Sequence, residues 1–134
     1  MIQGISHITL IVKDIEKTAG LFIEIFGAKE VYSSGDVFYS RSREKFFMIG
    51  TIWLALMEGD SLKEKTYNHI AFRINEEDFT LYSEKIAEIG LEIIQDRKRI
   101  AGEGKSIYFY DYDNHLFELH TGSLDERLKN YRGI

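Results

Sequence analysis

The sequence predicts an α+β protein built from two copies of one βαβββ module. The strongest indication is a repeat: His7 and His69 are 62 residues apart, and Gly27 and Gly90 are 63 residues apart. In each half, the residue pattern predicts a strand, then a helix, then three further strands. One such module is too small to bury its sheet alone, so we expect the two modules to pair within a single domain, 1–134.

The first module, 1–59, begins with a β-branched run that predicts a strand. Asp14 can then cap a helix, because its carboxylate accepts hydrogen bonds from the free N–H groups of the first turn, and apolar residues follow at helical spacing. Gly27 is expected to end this helix, since glycine adopts the left-handed conformation without steric cost. The predicted strands of this module are Ile5–Val12, Val31–Ser33, Val37–Arg41 and Thr51–Met57.

The second module, 67–122, repeats that order. Asn75 can cap its helix, and the acidic first turn, Glu76–Asp78, complements the positive end of the helix dipole. Gly90 is expected to end the helix. The predicted strands are Tyr67–Ile74, Leu91–Gln95, Ser106–Tyr112 and Leu116–His120, and the final segment, 123–134, carries a short amphipathic helix, Leu124–Tyr131.

The composition excludes several classes of protein. The 134 residues suffice for a hydrophobic core, and the absence of cysteine excludes disulfides, thiolate nucleophiles and Cys-ligated metals. A net charge of −5 disfavours a general nucleic-acid or membrane-surface binder, although a local basic stretch, 97–105, suits a small anionic ligand. No signal peptide is recognisable and the longest apolar run, Ile52–Met57, is far too short to span a membrane, so we expect a cytoplasmic protein.

The equivalent histidines of the two modules are candidate metal ligands. If the modules pack with two-fold symmetry, His7 and His69 converge, and without cysteine a metal would need imidazole and carboxylate ligands. Glu118, on the last strand, is a carboxylate among apolar neighbours, and His120 shares its face, so either residue can complete the site. The first-module counterpart of Glu118 is Ala55, which cannot coordinate. Three ligands leave positions open for water or substrate, as in catalytic metal sites.

Other residues near these candidates have weaker signals. Thr9 shares a face with His7, and Trp53 is a candidate wall of the same pocket, although both are equally typical of an ordinary strand. The stretch Gly102–Ser106 is rich in glycine but lacks the spacing of a nucleotide-binding loop. Glu44, judged by itself, is expected to be a solvated surface charge.

Several stretches of the chain resemble the fosfomycin resistance proteins of the vicinal oxygen chelate superfamily. SHITLIVKD, YNHIAF and GEGKSIYFYDYDNHLFELH carry the resemblance, which runs over essentially the whole chain. FYSRSREKFF and MEGDSLKEKTYNHI are most similar to the FosX type, the branch that hydrates fosfomycin. This resemblance implies paired βαβββ modules arranged across a domain-swapped homodimer, with metal sites shared between the subunits.

The resemblance also implies a set of functional residues. A divalent metal, typically Mn²⁺, is held by residues that match His7, His69 and Glu118, which leaves His120 as a neighbour of the site. The general base of the hydrating branch matches Glu44, contrary to the expectation from that residue alone. The implied reaction is the metal-dependent hydration of the fosfomycin epoxide to a vicinal diol. Positions near the substrate or its phosphonate match Thr9, Lys98, Tyr108 and Arg127.

Two alternatives remain open at this stage. The first is a metal-dependent transferase that opens the same epoxide with glutathione or bacillithiol. Glu44 argues against it, because a thiol needs much less help from a base than water does. The second is a metal-free drug-binding protein of the same fold, and the proposed metal ligands argue against that.

Overall fold

The computed structural model describes residues 1–94 and 97–133, and the chain divides into two compact units, Met1–Lys63 and Glu64–Ile134. Each unit contains one four-stranded sheet, and the order of strands within the sheet is the same in both. This architecture confirms the predicted α+β class and the predicted repeat of strands and helices. Within the described residues, no helix is long and apolar enough to cross a membrane.

In the first unit, four strands form a sheet in the order β1-β4-β3-β2. The outer strand β1 runs parallel to β4, whereas the β2–β3 and β3–β4 pairs are antiparallel. The elements are β1 (Ile8–Val12), α1 (Ile15–Phe26), β2 (Lys29–Ser33), β3 (Glu44–Ile49) and β4 (Ile52–Glu58).

Helix α1 forms where the sequence predicts it. The Asp14 side chain accepts a hydrogen bond from the backbone N–H of Lys17 at 3.1 Å, which satisfies one of the free donors of the first turn. Gly27 ends the helix with φ of 62°, a left-handed conformation that few other residues adopt. The apolar face of α1 contacts β3 and β4, where Phe47 and Leu54 have no exposed surface.

The predicted strand Val37–Arg41 is wrong, because the third strand to be formed, β3, lies later in the sequence, at Glu44–Ile49. The apolar residues of the predicted strand have no neighbouring strand to cover them, and Phe38 is 60% exposed. Strand β3 was missed because it begins with two charged residues, Glu44 and Lys45, which are nevertheless buried. Alternating apolar residues therefore marked an exposed loop, and charge concealed a central strand.

The second unit repeats this topology with the order β5-β8-β7-β6, and β5 is parallel to β8. Its predicted strand Leu91–Gln95 is reduced to two residues, and Gln95 lies outside the described residues, as does Ile134 of the predicted C-terminal segment. The elements are β5 (His69–Arg73), α2 (Phe79–Ile89), β6 (Ile93–Ile94), β7 (Ser106–Tyr110), β8 (Leu116–His120) and α3 (Leu124–Arg132).

Two ends in the second unit differ from the prediction. The Asn75 side chain makes no capping hydrogen bond; a 3₁₀ turn, Glu76–Asp78, comes first, and α2 begins at Phe79. Strand β7 ends before the predicted Tyr112, because the Asp111 carboxylate accepts hydrogen bonds from the backbone N–H groups of the following turn. Gly90 ends α2 in the left-handed conformation, as predicted.

Candidate active site

The open face of the second sheet carries most of its polar side chains. The opposite face is an apolar core in which the rings of Phe72, Phe109 and Phe117 pack together. Because successive strand residues point to opposite faces, the strand register brings the polar residues into adjacent rows. Across β5, β8 and β7 these rows are Ala71, Glu118 and Tyr108, and then Arg73, His120 and Ser106.

His69 and Glu118 form the centre of this face. The Nε2 atom of His69 lies 3.0 Å from Oε1 of Glu118, and the Glu118 residue is 5% exposed. The Nδ1 atom of His69 lies 2.7 Å from the carbonyl oxygen of Tyr67, which can only accept, so Nδ1 carries a hydrogen. A neutral ring then presents the lone pair of Nε2 to a carboxylate oxygen. This arrangement requires a proton or a cation between the two atoms.

The chemistry of this pair therefore fits a divalent metal. Imidazole nitrogen and carboxylate oxygen are suitable ligands, and a backbone carbonyl that fixes the histidine tautomer is the usual support of a metal-bound histidine. The pair amounts to two ligands. Among residues 1–94 and 97–133, no three His, Asp or Glu side chains are grouped so that they could hold a metal ion.

Tyr108 lies beside Glu118 with its hydroxyl inside a hydrogen-bond cluster. Its oxygen is 3.1 Å from Nη2 of Arg99 and 3.2 Å from the hydroxyl of Tyr67. Burial, the hydrogen bond with Tyr67 and the charge of Glu118 raise the pKa of Tyr108 well above its usual value. The phenol therefore stays protonated and can donate a hydrogen bond to an anion.

Arg127 lines an open cavity of about 310 Å³ together with His69, Glu118 and His120. It reaches the cavity from α3, and its Nη2 atom is 3.4 Å from Nε2 of His120. The structure thus brings together four of the residues singled out from the sequence: His69, Glu118, Tyr108 and Arg127.

Lys98 differs from these residues because its side chain is exposed on the segment before β7. The neighbouring Arg99 has a side chain only 12% exposed, with Nη2 at 3.6 Å from Oε2 of Glu118. Sequence reasoning counted Arg99 only as part of a basic stretch and did not single out Ser106, whose hydroxyl is 2.5 Å from Oε2 of Glu118. The alternation of Ser106 and Tyr108 on one strand was a signal that could have found Ser106.

The first sheet also has an open face, and the remaining candidates lie on it. The ring of His7 lies against that of Trp53, with centroids 4.3 Å apart. Thr9 is paired with Ala55 in the strand register, and Glu44 is paired with Met57. Residues paired in register point to the same face, so this face carries His7, Thr9 and Glu44.

Glu44 is buried, and the expectation of a solvated surface charge is wrong. The residue is 9% exposed because its strand is central in the sheet, where its N–H and C=O both bond to Ser34. One side-chain oxygen, Oε2, is buried and has no hydrogen-bond partner among the residues that the structure describes. A buried carboxylate oxygen without a donor costs free energy, and such atoms in native proteins usually have a role. This oxygen is available to accept a proton.

Comparisons with known proteins identify the family. Residues 4–119 match the model of the Glyoxalase/Bleomycin resistance protein/Dioxygenase superfamily. The fosfomycin resistance protein FosX of Listeria monocytogenes is 62% identical over 131 residues, which cover 98% of each chain. A more distant relative, the metallothiol transferase FosB of Staphylococcus haemolyticus, is 38% identical over 98% of this chain and 93% of its own length.

A solved structure is similar over nearly the whole chain. It is a variant of the fosfomycin resistance protein FosX from Listeria monocytogenes, complexed with Mn(II) and 1S,2S-dihydroxypropylphosphonic acid. Its TM-score is 0.91 at 56% identity, and the match covers 98% of this chain and 99% of that one. These findings confirm the resemblance seen in the sequence. The chain belongs to the glyoxalase/bleomycin resistance protein/dioxygenase superfamily and, within it, to the FosX family of fosfomycin resistance proteins.

Proposed function

We propose that this protein confers fosfomycin resistance by hydrating the epoxide of fosfomycin to a vicinal diol, with Mn²⁺ as its cofactor. The observation that carries the proposal is the buried Oε2 atom of Glu44, which has no hydrogen-bond partner among the described residues. The proposal is supported by the 62% identity with a FosX protein and by the Mn(II) and diol phosphonate in the similar structure.

The proposed metal ligands are His7, His69 and Glu118. In the second unit, the Nε2 atom of His69 and the Oε1 atom of Glu118 already lie 3.0 Å apart. When bound, a divalent cation would act as a Lewis acid toward the epoxide oxygen and so stabilise the negative charge that develops there.

The basic and hydroxyl groups are proposed to bind the phosphonate. Arg127 can donate charge-assisted hydrogen bonds from the wall of the cavity, and the protonated Tyr108 hydroxyl can donate another. Lys98 and Thr9 are proposed as further contacts at the edge of the site. Fixing the phosphonate in this way orients the epoxide for attack and lowers the entropic cost of reaching the transition state.

Glu44 is proposed as the general base. Its carboxylate removes a proton from water while the water oxygen forms a bond to an epoxide carbon. The carbon–oxygen bond of the ring breaks, and the oxygen that it releases takes up a proton, so one water and one epoxide give one diol. General-base catalysis of this kind typically contributes about 10²–10⁴-fold to the rate.

The assembly and location are further parts of the proposal. We propose a homodimer in which His7 of one subunit joins His69 and Glu118 of the other, as the family resemblance implies. A cytoplasmic location agrees with a chain that contains no cysteine.

Phosphorus NMR of fosfomycin incubated with the protein and Mn²⁺, with and without added thiols, tests the proposal. We expect the diol phosphonate in both samples. A thiol adduct that forms only when glutathione, cysteine or bacillithiol is present would establish the transferase alternative instead. Unchanged fosfomycin that is nevertheless bound would establish a drug-binding protein.

A further inference from the structure

We propose that Ser106, held by His120, is a positioning residue for Glu118. Its hydroxyl keeps one carboxylate oxygen, Oε2, engaged, so that the other, Oε1, is presented beside Nε2 of His69. The inference rests on the proposed function in one respect, namely that His69 and Glu118 hold Mn²⁺.

The hydrogen bonds around Ser106 have a defined direction. Its Oγ atom lies 2.5 Å from Oε2 of Glu118 and 2.7 Å from Nδ1 of His120. An ionised carboxylate can only accept, so the hydroxyl hydrogen points to Glu118. The hydroxyl oxygen then accepts from His120, and Nδ1 of that ring carries a hydrogen.

The far side of the His120 ring agrees with this assignment. Its Nε2 atom faces Nη2 of Arg127 at 3.4 Å, and a guanidinium can only donate, so Nε2 accepts. A directed series of donors therefore runs from Arg127 through His120 and Ser106 to Glu118. It links a proposed phosphonate contact to a proposed metal ligand.

The surroundings hold this series in place. Ser106 and His120 are paired in register on β7 and β8, and the Ser106 residue is 9% exposed. Gly122 leaves room for the imidazole, because a Cβ atom at that position would lie 2.8 Å from Nε2 of His120 and 2.9 Å from the carbonyl oxygen of Glu103. A site built on strands with fixed neighbours holds its ligands more exactly than one built on loops.

Ser106→Ala tests the inference through metal binding, without any use of turnover. Calorimetric titration with MnCl₂ should show affinity about 10–100-fold weaker than that of the parent protein, the usual effect of losing a group that orients a ligand. The electron paramagnetic resonance spectrum of bound Mn²⁺ should also change, because Glu118 is no longer held through one oxygen. Ser106→Thr keeps the hydroxyl and should restore most of the affinity.

Two further variants separate positioning from folding. His120→Ala removes the donor to Ser106 from the other side, and a weaker Mn²⁺ affinity in this variant supports the inference even if Ser106→Ala fails to fold. Ser42→Ala removes a hydroxyl that donates only to a neighbouring carbonyl oxygen, at 3.3 Å, and should leave Mn²⁺ affinity unchanged. Parental affinity and spectrum in folded Ser106→Ala, or in His120→Ala if only that variant folds, would overturn the inference.

The result also distinguishes this inference from the proposed function. If the parent protein binds Mn²⁺ and His69→Ala abolishes binding, the metal site stands whatever Ser106→Ala does. If the parent binds no Mn²⁺, or His69→Ala binds it as tightly as the parent, both the metal site and the inference are overturned.

Discussion

The hydroxyl of Tyr131, on α3, donates a hydrogen bond to Oε2 of Glu103 at 2.5 Å, and so joins the segment before β7 to the C-terminal helix. Glu103 is 2% exposed and also accepts from the backbone N–H of Ile100 at 2.8 Å and from the guanidinium of Arg97. The segment that carries Lys98 and Arg99 is thereby attached to the helix that carries Arg127.

The glycines of this segment serve the same attachment. A Cβ atom at Gly102 would lie 1.8 Å from Nδ2 of Asn130, and one at Gly104 would lie 2.6 Å from the backbone nitrogen of Gly122. Both positions also have positive φ angles, 82° and 77°. Close packing and backbone conformation thus account for these glycines.

The Glu103 attachment should make the protein sensitive to acid. The hydrogen bond from Arg97, followed by those from Ile100 and Tyr131, holds the pKa of Glu103 far below its usual 4.5. A carboxylate with a lowered pKa in the folded state stabilises the fold above its unfolded pKa, and this contribution is lost progressively as the pH falls below about 4.5. The free energy of unfolding, measured in urea from pH 7 to pH 3, should therefore fall less steeply for Glu103→Gln than for the parent.

Glu24→Gln is the matched control for that measurement, because Glu24 is an exposed carboxylate on α1. Its unfolding free energy should follow the parent at every pH. Parallel curves for Glu103→Gln and the parent would show that Glu103 does not contribute to the acid dependence.

Glu44→Gln should lower kcat for fosfomycin hydration by about 10²–10⁴-fold, the usual contribution of a general base. The amide cannot take up the proton, whereas the ligands and the phosphonate contacts are unchanged. Calorimetry should accordingly show Mn²⁺ and fosfomycin binding close to that of the parent. Parental turnover in this variant would mean that another group, or none, acts as the base.

Arg127→Ala should weaken fosfomycin binding by about 1.5–3 kcal/mol, the typical value of a hydrogen bond to a charged group. Lys98→Ala should have a smaller effect, because Lys98 is exposed and solvent screens its charge. Michaelis constants and calorimetric titrations with fosfomycin measure both changes. If neither variant alters the Michaelis constant, the phosphonate binds elsewhere.

A mixture of two inactive variants tests whether the metal sites are shared between subunits. His7→Ala and Glu118→Ala should each be inactive alone. When they are denatured and refolded together, one site of a mixed dimer carries both substitutions and the other carries neither, so hydration should partly return. Mixed dimers verified by differential tagging that show no activity would contradict a shared site.

The sequence by itself determined the features that depend on neighbouring residues. Helix α1 could be predicted because its cap, its apolar spacing and its final glycine, Gly27, are all local signals. The equivalence of His7 and His69 followed from the repeat, and the shared face of Glu118 and His120 followed from strand alternation. The wrong strand at Val37–Arg41 shows the limit of such signals, since alternation cannot tell whether a partner strand exists.

Only the tertiary structure decided which of the charged residues are buried and what they contact. Glu44 is buried because its strand lies between β2 and β4, which are 11 and 8 residues away in the sequence from end to start, and nothing in Arg43-Glu44-Lys45 indicates those neighbours. The contact of Ser106 with Glu118 likewise depends on the register of β7 against β8. Burial and pairing arise from strands brought together by folding, so the physical environment of a charged residue cannot be inferred from its local sequence.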